Sequence, residues 1–272
     1  MKIKKFLILA LLIILITPGC SITKDSMEDI TIYTTIYPIK YLLDSLYGDN
    51  ATINSIYPSG VDTNDYELSD KKLEEYSKTD LFVFNSLDKD RDYAVKMINK
   101  NKNLKVIDVS LGITYVDDIT ELWLNPYLIS NTDGTGIENK YEELKYNLSR
   151  LDADYKEDIN LATYKTIVVD DDMFKFLEKY NLRVISLEDN DNLTDSTINE
   201  VKKLVNNGTI KYIYSSKDET NDVCKNIINN YGIDLVTLNT METIDGGITN
   251  SNENYITIMN NNLDLLNKEL YK

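Results

Sequence analysis

Twice along this chain, short β-branched runs alternate with segments of helical period, and no other feature restricts its possible folds as strongly. In the first half the runs are Ile30–Ile36, Thr52–Tyr57, Leu81–Asn85 and Lys105–Val109, with helices expected near Ile39–Tyr47, Asp70–Ser77 and Asp90–Asn99. In the second half they are Thr166–Val169, Arg183–Leu187, Lys211–Tyr214 and Asp234–Leu238, with helices expected over Asp172–Tyr180, Thr194–Asn206 and Glu219–Tyr231. Parallel strands need crossover connections, and those are usually helical. The alternation therefore predicts an α/β protein of two doubly wound lobes, each a four-stranded parallel sheet with flanking helices.

Between the halves Ile137, Tyr141, Leu144, Leu148, Leu151, Tyr155 and Ile159 recur at steps of four and three among charged residues. That is the apolar stripe of one long helix. At 1.5 Å per residue it spans roughly 35 Å, enough to run across both lobes as a strut. A surface helix of a single domain is the competing reading. The polar, glycine-containing stretch Ser130 to Gly136 marks the lobe boundary. A last helix, Tyr255 to Leu270, closes the second lobe. The expected division is thus an N-terminal lobe over 30–136, a linking helix over 137–162 and a C-terminal lobe over 163–272.

Ahead of the lobes, Lys2, Lys4 and Lys5 precede the apolar run Phe6 to Ile16, which leads into Thr17-Pro18-Gly19-Cys20. The run is about half the roughly 20 residues needed to cross a bilayer, so it reads as an export signal rather than a permanent anchor. Cys20 stands in the lipobox position, although Thr17 sits where leucine is usual. Residues 1–20 are read as a signal peptide with a lipobox, 21–29 as a tether and Cys20 as the lipidation site. The protein would then sit on the extracytoplasmic face of the cell membrane. Only Cys224 follows, so no intrachain disulfide can form once the leader is set aside; its apolar setting predicts a buried helical thiol.

The 45 acidic residues exceed the 29 basic ones, for a formal charge of −16. Nucleic-acid binders concentrate lysine and arginine to displace counterions, so nucleic acid is not a partner. The chain contains no histidine. That excludes Ser–His and Cys–His catalysis and every imidazole metal site.

In open parallel sheets ligands sit beyond the carboxyl ends of the strands. Three polar clusters stand there: Pro58-Ser59-Gly60-Val61-Asp62-Thr63-Asn64-Asp65-Tyr66-Glu67, then Thr120-Glu121-Leu122-Trp123-Leu124-Asn125-Pro126, then Asp170-Asp171-Asp172. All three would face a cleft between the lobes.

Set beside Ile36-Tyr37-Pro38, Thr79-Asp80-Leu81-Phe82-Val83 and the closing Tyr255, Met259, Asn262 and Leu263, these clusters follow one ordered pattern. The pattern resembles the zinc- and manganese-binding substrate-binding lipoproteins of ABC importers (cluster A-I), over nearly the whole mature chain. That family reads Pro-x-Gly-x-Asp-x-His-Asp-Tyr-Glu, His-x-Trp-Leu-x-Pro and His-Asp-Ala-Phe at these places. Its three histidine ligands fall on Asn64, Glu121 and Asp171 here. A fourth, acidic family ligand after the last strand falls near Asn239 or Glu242, and Glu242 is the acidic candidate. The resemblance implies a non-catalytic, monomeric solute-binding lipoprotein that captures a divalent metal ion in the interlobe cleft and delivers it to a membrane permease. Amide and carboxylate oxygens suit hard cations such as Mn²⁺, Mg²⁺ or Ca²⁺, whereas losing three imidazoles weakens a preference for zinc.

Each candidate ligand also has a plain structural reading. Asn64 fits a turn, Glu121 a solvent-facing loop, and the Asp170–Asp172 run an N-terminal cap on the helix that follows. Two other functions compete with metal capture. One is a surface lipoprotein on the same scaffold that has lost transport and contacts another protein, as an adhesin does. The other is an enzyme holding a metal–nucleotide on the Asp-x-Asp at 170–172, but no P-loop, Gly-x-Gly-x-x-Gly or Gly-x-Ser-x-Gly accompanies it. The export reading has a direct check. Cells expressing the full chain should incorporate radiolabelled palmitate into it, and the C20S variant should incorporate none.

Overall fold

The computed structural model describes residues 29–86, 89–111, 138–241 and 253–272. Cys20, Glu121 and Glu242, together with the leader, nearly all of the tether and the 130–136 stretch, lie outside the described residues. The first sheet contains β1 (Ile30–Thr34), β2 (Ala51–Ser55), β3 (Leu81–Phe84) and β4 (Lys105–Asp108), in the order β2-β1-β3-β4. The second contains β5 (Thr166–Val169), β6 (Arg183–Ser186), β7 (Tyr212–Ser215) and β8 (Asp234–Thr237), in the order β6-β5-β7-β8. Every pairing is parallel; Ile32, for example, lies between Ile53 and Leu81. The expected architecture of two four-stranded parallel sheets with flanking helices is what forms.

Local chemistry fixes where the crossover helices begin and end. Helix α1 (Tyr37–Tyr47) starts two residues earlier than its apolar period suggests, because Pro38 in the first turn presets φ and needs no N–H partner. Ser69 caps α2 (Asp70–Tyr76), and α3 (Asp90–Lys100) follows β3. In the second lobe Thr194 caps α5 (Asp195–Asn206) by accepting from Thr197 N at 3.1 Å. Asn221 caps α6 (Asp222–Tyr231) through Cys224 N at 2.9 Å. That helix stops at Gly232, whose φ of 66° a side chain would resist. The segment Asp172–Tyr180 winds as a 3₁₀ helix. At three residues per turn Phe174, Leu177 and Tyr180 fall on one line and Met173 and Phe176 on the next, so all five are buried.

The linking helix α4 (Glu138–Leu161) has 24 residues and is therefore about 36 Å long. Its stripe of Leu144, Leu148, Leu151, Tyr155 and Ile159 is buried. The strands divide their side chains with period two. Leu81 and Val83 point into the same cluster as this stripe, whereas Phe82 and Phe84 point into a separate core with Met97. In β5, Ile167 and Val169 join the stripe, and Val168 joins Ile213, Val201 and Cys224 on the far face. One hydrophobic core is thus shared by the two lobes, and each lobe keeps a second core of its own.

Helix α7 (Tyr255–Leu270), opened by a capping box between Asn254 and Thr257, completes the shared core. Its Tyr255 stacks on Tyr41 of α1 with centroids 5.8 Å apart, so the last helix reaches the first lobe. Tyr155 Oη donates to Met259 O at 2.7 Å, and Tyr214 Oη to Leu265 O and Leu266 O. Burial pushes the Tyr155, Tyr214 and Tyr255 hydroxyls well above their ordinary range, which keeps them neutral donors. Glu269 on α7 is 0% exposed; its Oε2 accepts from Lys211 N and Tyr212 N at 3.0 Å each, and its Oε1 faces the Lys272 ammonium. No helix among the described residues is long and apolar enough to cross a membrane.

Truncating the shared core should weaken both lobes together. Leu148→Ala is expected to cost about 2–5 kcal/mol, and Tyr155→Phe about 1 kcal/mol for the lost hydrogen bond. Urea unfolding followed by circular dichroism should still show a single transition in both variants; separate transitions for the two lobes would contradict a shared core.

Candidate metal cleft

Reversal of strand order places a crevice beyond the carboxyl ends of β1 and β3 in one lobe and of β5 and β7 in the other. On the first side the chain leaves β2 through the 58–67 loop, and Asp62 organises it. Asp62 Oδ1 accepts from Asn64 N at 2.9 Å, and Asp62 O accepts from Tyr66 N at 3.0 Å. Lys89, just ahead of α3, reaches back to donate to Asn64 O and Tyr66 O at 2.9 Å each. Tyr93 Oη adds a bond to Tyr66 O, and Lys72 one to Tyr66 Oη at 2.8 Å. The loop is braced from behind and Asn64 is exposed on it. Left-handed backbone among non-glycine residues occurs at Asp29, Asn181 and Met241 and not at Asn64, so it is Asp62 that makes the turn.

Deeper in this lobe Thr34 and Thr35 are fully buried at the end of β1, and neither hydroxyl has a hydrogen-bond partner. At the end of β4, Asp108 Oδ1 accepts from Ser86 N, Ser110 N and Ser110 Oγ at 3.2, 3.0 and 2.6 Å. Burial alone would push Asp108 up, but the Ser110 and Ser86 donors outweigh it and hold the carboxyl below the usual range. These bonds tie the ends of β3 and β4 together.

On the second side β5 runs directly into Asp170, Asp171 and Asp172. Asp170 Oδ2 accepts from Ser215 Oγ and Thr220 Oγ1, both at 2.6 Å, while its buried Oδ1 has no partner. Asp171 Oδ1 accepts from Met173 N at 2.9 Å, so the helix-capping reading of this run is correct. Asp172 N donates to Glu188 Oε2 at 2.8 Å, and Asp172 Oδ2 pairs with Lys175 at 2.7 Å. Burial pushes the Asp171 carboxyl up, and the charges of Glu188, Asp170 and Asp172 add to this against the Met173 amide. A carboxylate in that position is short of positive charge.

The two sides are joined by an ion pair between Lys217, just past β7, and Asp62. Lys217 N donates to Ser215 Oγ at 3.1 Å, and Ser215 Oγ donates to Asp170. One chain of contacts therefore runs from Asn64 through Asp62, Lys217 and Ser215 to the strand end that carries Asp171. Burial raises Asp62, but the bond from Lys217 and the amides of Asn64 and Asp65 prevail and hold it low.

Among the described residues no three His, Cys, Asp or Glu side chains gather as a metal cluster. Asn64 and Asp171 are placed, one on each side, whereas Glu121 and Glu242 lie outside the described residues. Asn239 is committed to its own turn: its Oδ1 accepts from Met241 N at 2.9 Å, and Asn262 bonds both its N–H and its carbonyl. Lys89, Lys217 and Asn262 were not singled out from the sequence as site residues. For Lys217 the signal was available, since it follows a strand end as the aspartates do. Cys224 is buried and its thiol is pushed up to about 11 by burial, as befits a structural residue.

The chain matches the family model described as zinc-uptake complex component A, periplasmic, over residues 32–132 and 128–269. The zinc-binding lipoprotein AdcA of Streptococcus pneumoniae serotype 4 is 23% identical, with 96% of this chain and 60% of that protein covered. The chain thus spans about 60% of the length of the AdcA relative. The high-affinity zinc uptake system protein ZnuA of Bacillus subtilis is 22% identical, covering 97% of this chain and 96% of that one. Among solved structures, the metal-dependent lipoprotein YcdH of Bacillus subtilis superposes with a TM-score of 0.75 at 21% identity, over 90% of this chain and 100% of that one. The Zn(II)-bound ZnuA-like domain of Streptococcus pneumoniae AdcA gives 0.72 at 20%, with the same coverages. At these identities the structural matches speak for the fold.

The strained position of Asp171 makes a prediction for the metal-free protein. A carboxyl whose folded pKa is raised binds more protons folded than unfolded, so it opposes folding at neutral pH. That opposition fades as pH falls through the raised value toward the unfolded value of about 3.9. Asp171→Asn keeps an acceptor for Met173 N, so it should raise the melting temperature at pH 7, and the gain should shrink toward pH 4. Thermal melts across that range check the sign.

Proposed function

The chain belongs to the family of zinc-uptake complex component A, periplasmic, and from that premise we propose that it is the extracytoplasmic, lipid-anchored binding protein of an ABC importer. It captures a divalent metal ion between its lobes and passes it to a membrane permease. The family is one of metal-binding transport components and not of enzymes. In this reading 30–136 and 163–272 are the capturing lobes, 137–162 is the strut, and 1–20 with Cys20 and the 21–29 tether deliver and anchor a monomer.

The observation that carries the reading is the crowded strand end at Asp170–Asp172 and Glu188, where the Asp171 carboxyl is pushed up by burial first and by the neighbouring carboxylates in addition. A dication placed there relieves that repulsion. The proposed donors are Asn64 and Asp171 from the two sides, with Glu121 and Glu242 completing an oxygen set. The relatives are named for zinc, but four oxygen donors favour a harder ion, with Mn²⁺ first in order. A core shared between the lobes restricts capture to a small rocking motion.

Calorimetric titration of the protein lacking its leader with Mn²⁺, Zn²⁺ and Ca²⁺, together with elemental analysis of the purified protein, tests this. We expect one site per chain, with Mn²⁺ preferred to Zn²⁺ and binding weakened at least tenfold in Asp171→Ala. Heat changes absent for all three ions would end the metal reading.

A further inference from the structure

We propose that Lys217 is a tethered cation that holds the two lobes together across the cleft, in the role a bound dication plays when it is gripped from both sides. The proposal deepens the reading of this crevice as the ligand cleft and rests on it. Lys217 and Asp62 are 155 positions apart, yet their side chains form an ion pair between the loop after β2 and the end of β7. Both partners are fixed at their roots. Asp62 is held by the amide of Asn64, and the Lys217 amide is anchored on Ser215, which is fully buried and itself bonded to Asp170. The lysine thus stands two residues past Ser215, which bonds the acidic end of β5, and reaches Asp62 in the opposite lobe through its ammonium group.

A second ammonium works on the same loop. Lys89 donates to the carbonyls of Asn64 and Tyr66, so Asn64 is bracketed by Lys89 on its main chain and by Lys217 at Asp62. Lys89 and Asp62 belong to the same lobe, which makes Lys89 a brace; Lys217 alone of the two crosses the cleft. The Lys217 side chain is 62% exposed and that of Asp62 23%. An ion pair so placed is weak and sensitive to salt, which suits a contact that must open.

The test measures the distance between spin labels on the two lobes in metal-free protein. Labels enter through Lys71→Cys on α2 and Lys203→Cys on α5, both exposed positions, in a C20S, C224A chain. We expect Lys217→Met and Asp62→Asn each to move the distribution to longer distance by about 2 Å or more, as should 1 M salt on the unmutated pair. Lys225→Met, which removes the same charge from an exposed position on α6, should leave it unchanged. Asp62→Asn keeps an acceptor for the Asn64 amide, so its effect reports the ion pair and not the turn. Distributions that coincide for all the variants overturn the proposal, as does an equal shift in Lys225→Met. The metal titration of unmutated protein fails or succeeds separately: a chain that binds no dication but opens on Lys217→Met retains the latch and loses the metal reading.

Discussion

Leu144, Leu148, Leu151, Tyr155 and Ile159 lie on one helix, and neither sheet could remove all of them from water alone. Burying them requires the inner faces of both sheets and the apolar side of α7 at the same time. At about 25 cal/mol per Å² of apolar surface, five large side chains represent several kcal/mol that exist only when both lobes are present. The period-two division of each strand, the tyrosine hydroxyls aimed at α7 carbonyls and the stack of Tyr255 on Tyr41 all serve one interface.

With the lobes fixed through their backs, the crevice in front is shaped mainly by charge. One wall carries Asp170, Asp171, Asp172 and Glu188, eased by Lys175 and by hydroxyl donors; the other carries a loop whose free carbonyls are occupied by Lys89. In a family whose name records zinc uptake, imidazoles would be neutral ligands that leave the wall uncharged until metal arrives. In the reading proposed above, Asp171 takes the place of one such imidazole and brings a carboxylate's repulsion with it. Lys175, paired with Asp172, answers that repulsion directly, because a buried or half-buried anion needs a partner.

Much of the scaffold was legible from hydrophobic period alone. β5 was delimited to the residue, and the other strands to within one or two, because β-branched runs end where the polar strand-end residues begin. Helix starts were less exact where the signal was chemical rather than periodic, as with Pro38 ahead of Ile39 or Asn221 at the start of α6. The 3₁₀ winding of Asp172–Tyr180 was not legible, since its apolar spacing fits both helix types and packing decides between them. Of the site, Asn64 and Asp171 fall where the strand-end rule put them. Lys217 opposite Asp62 could not be read, because nothing local in either segment refers to the other across 155 positions.

The shared core also sets a schedule for folding. The inner face of the first sheet is completed by α4 and α7, and α7 lies downstream of all eight strands among the described residues. A chain crossing a membrane amino end first therefore presents a finished set of first-lobe strands long before the helix that covers them has emerged. Contacts of such sequence separation are slow to form, and the uncovered face is a surface on which chains can associate. For the exported chain proposed above, folding is accordingly a race between delivery of residues 255–270 and aggregation of what precedes them. A holding chaperone on the far side has a defined target: the apolar face formed by Ile32, Leu81 and Val83.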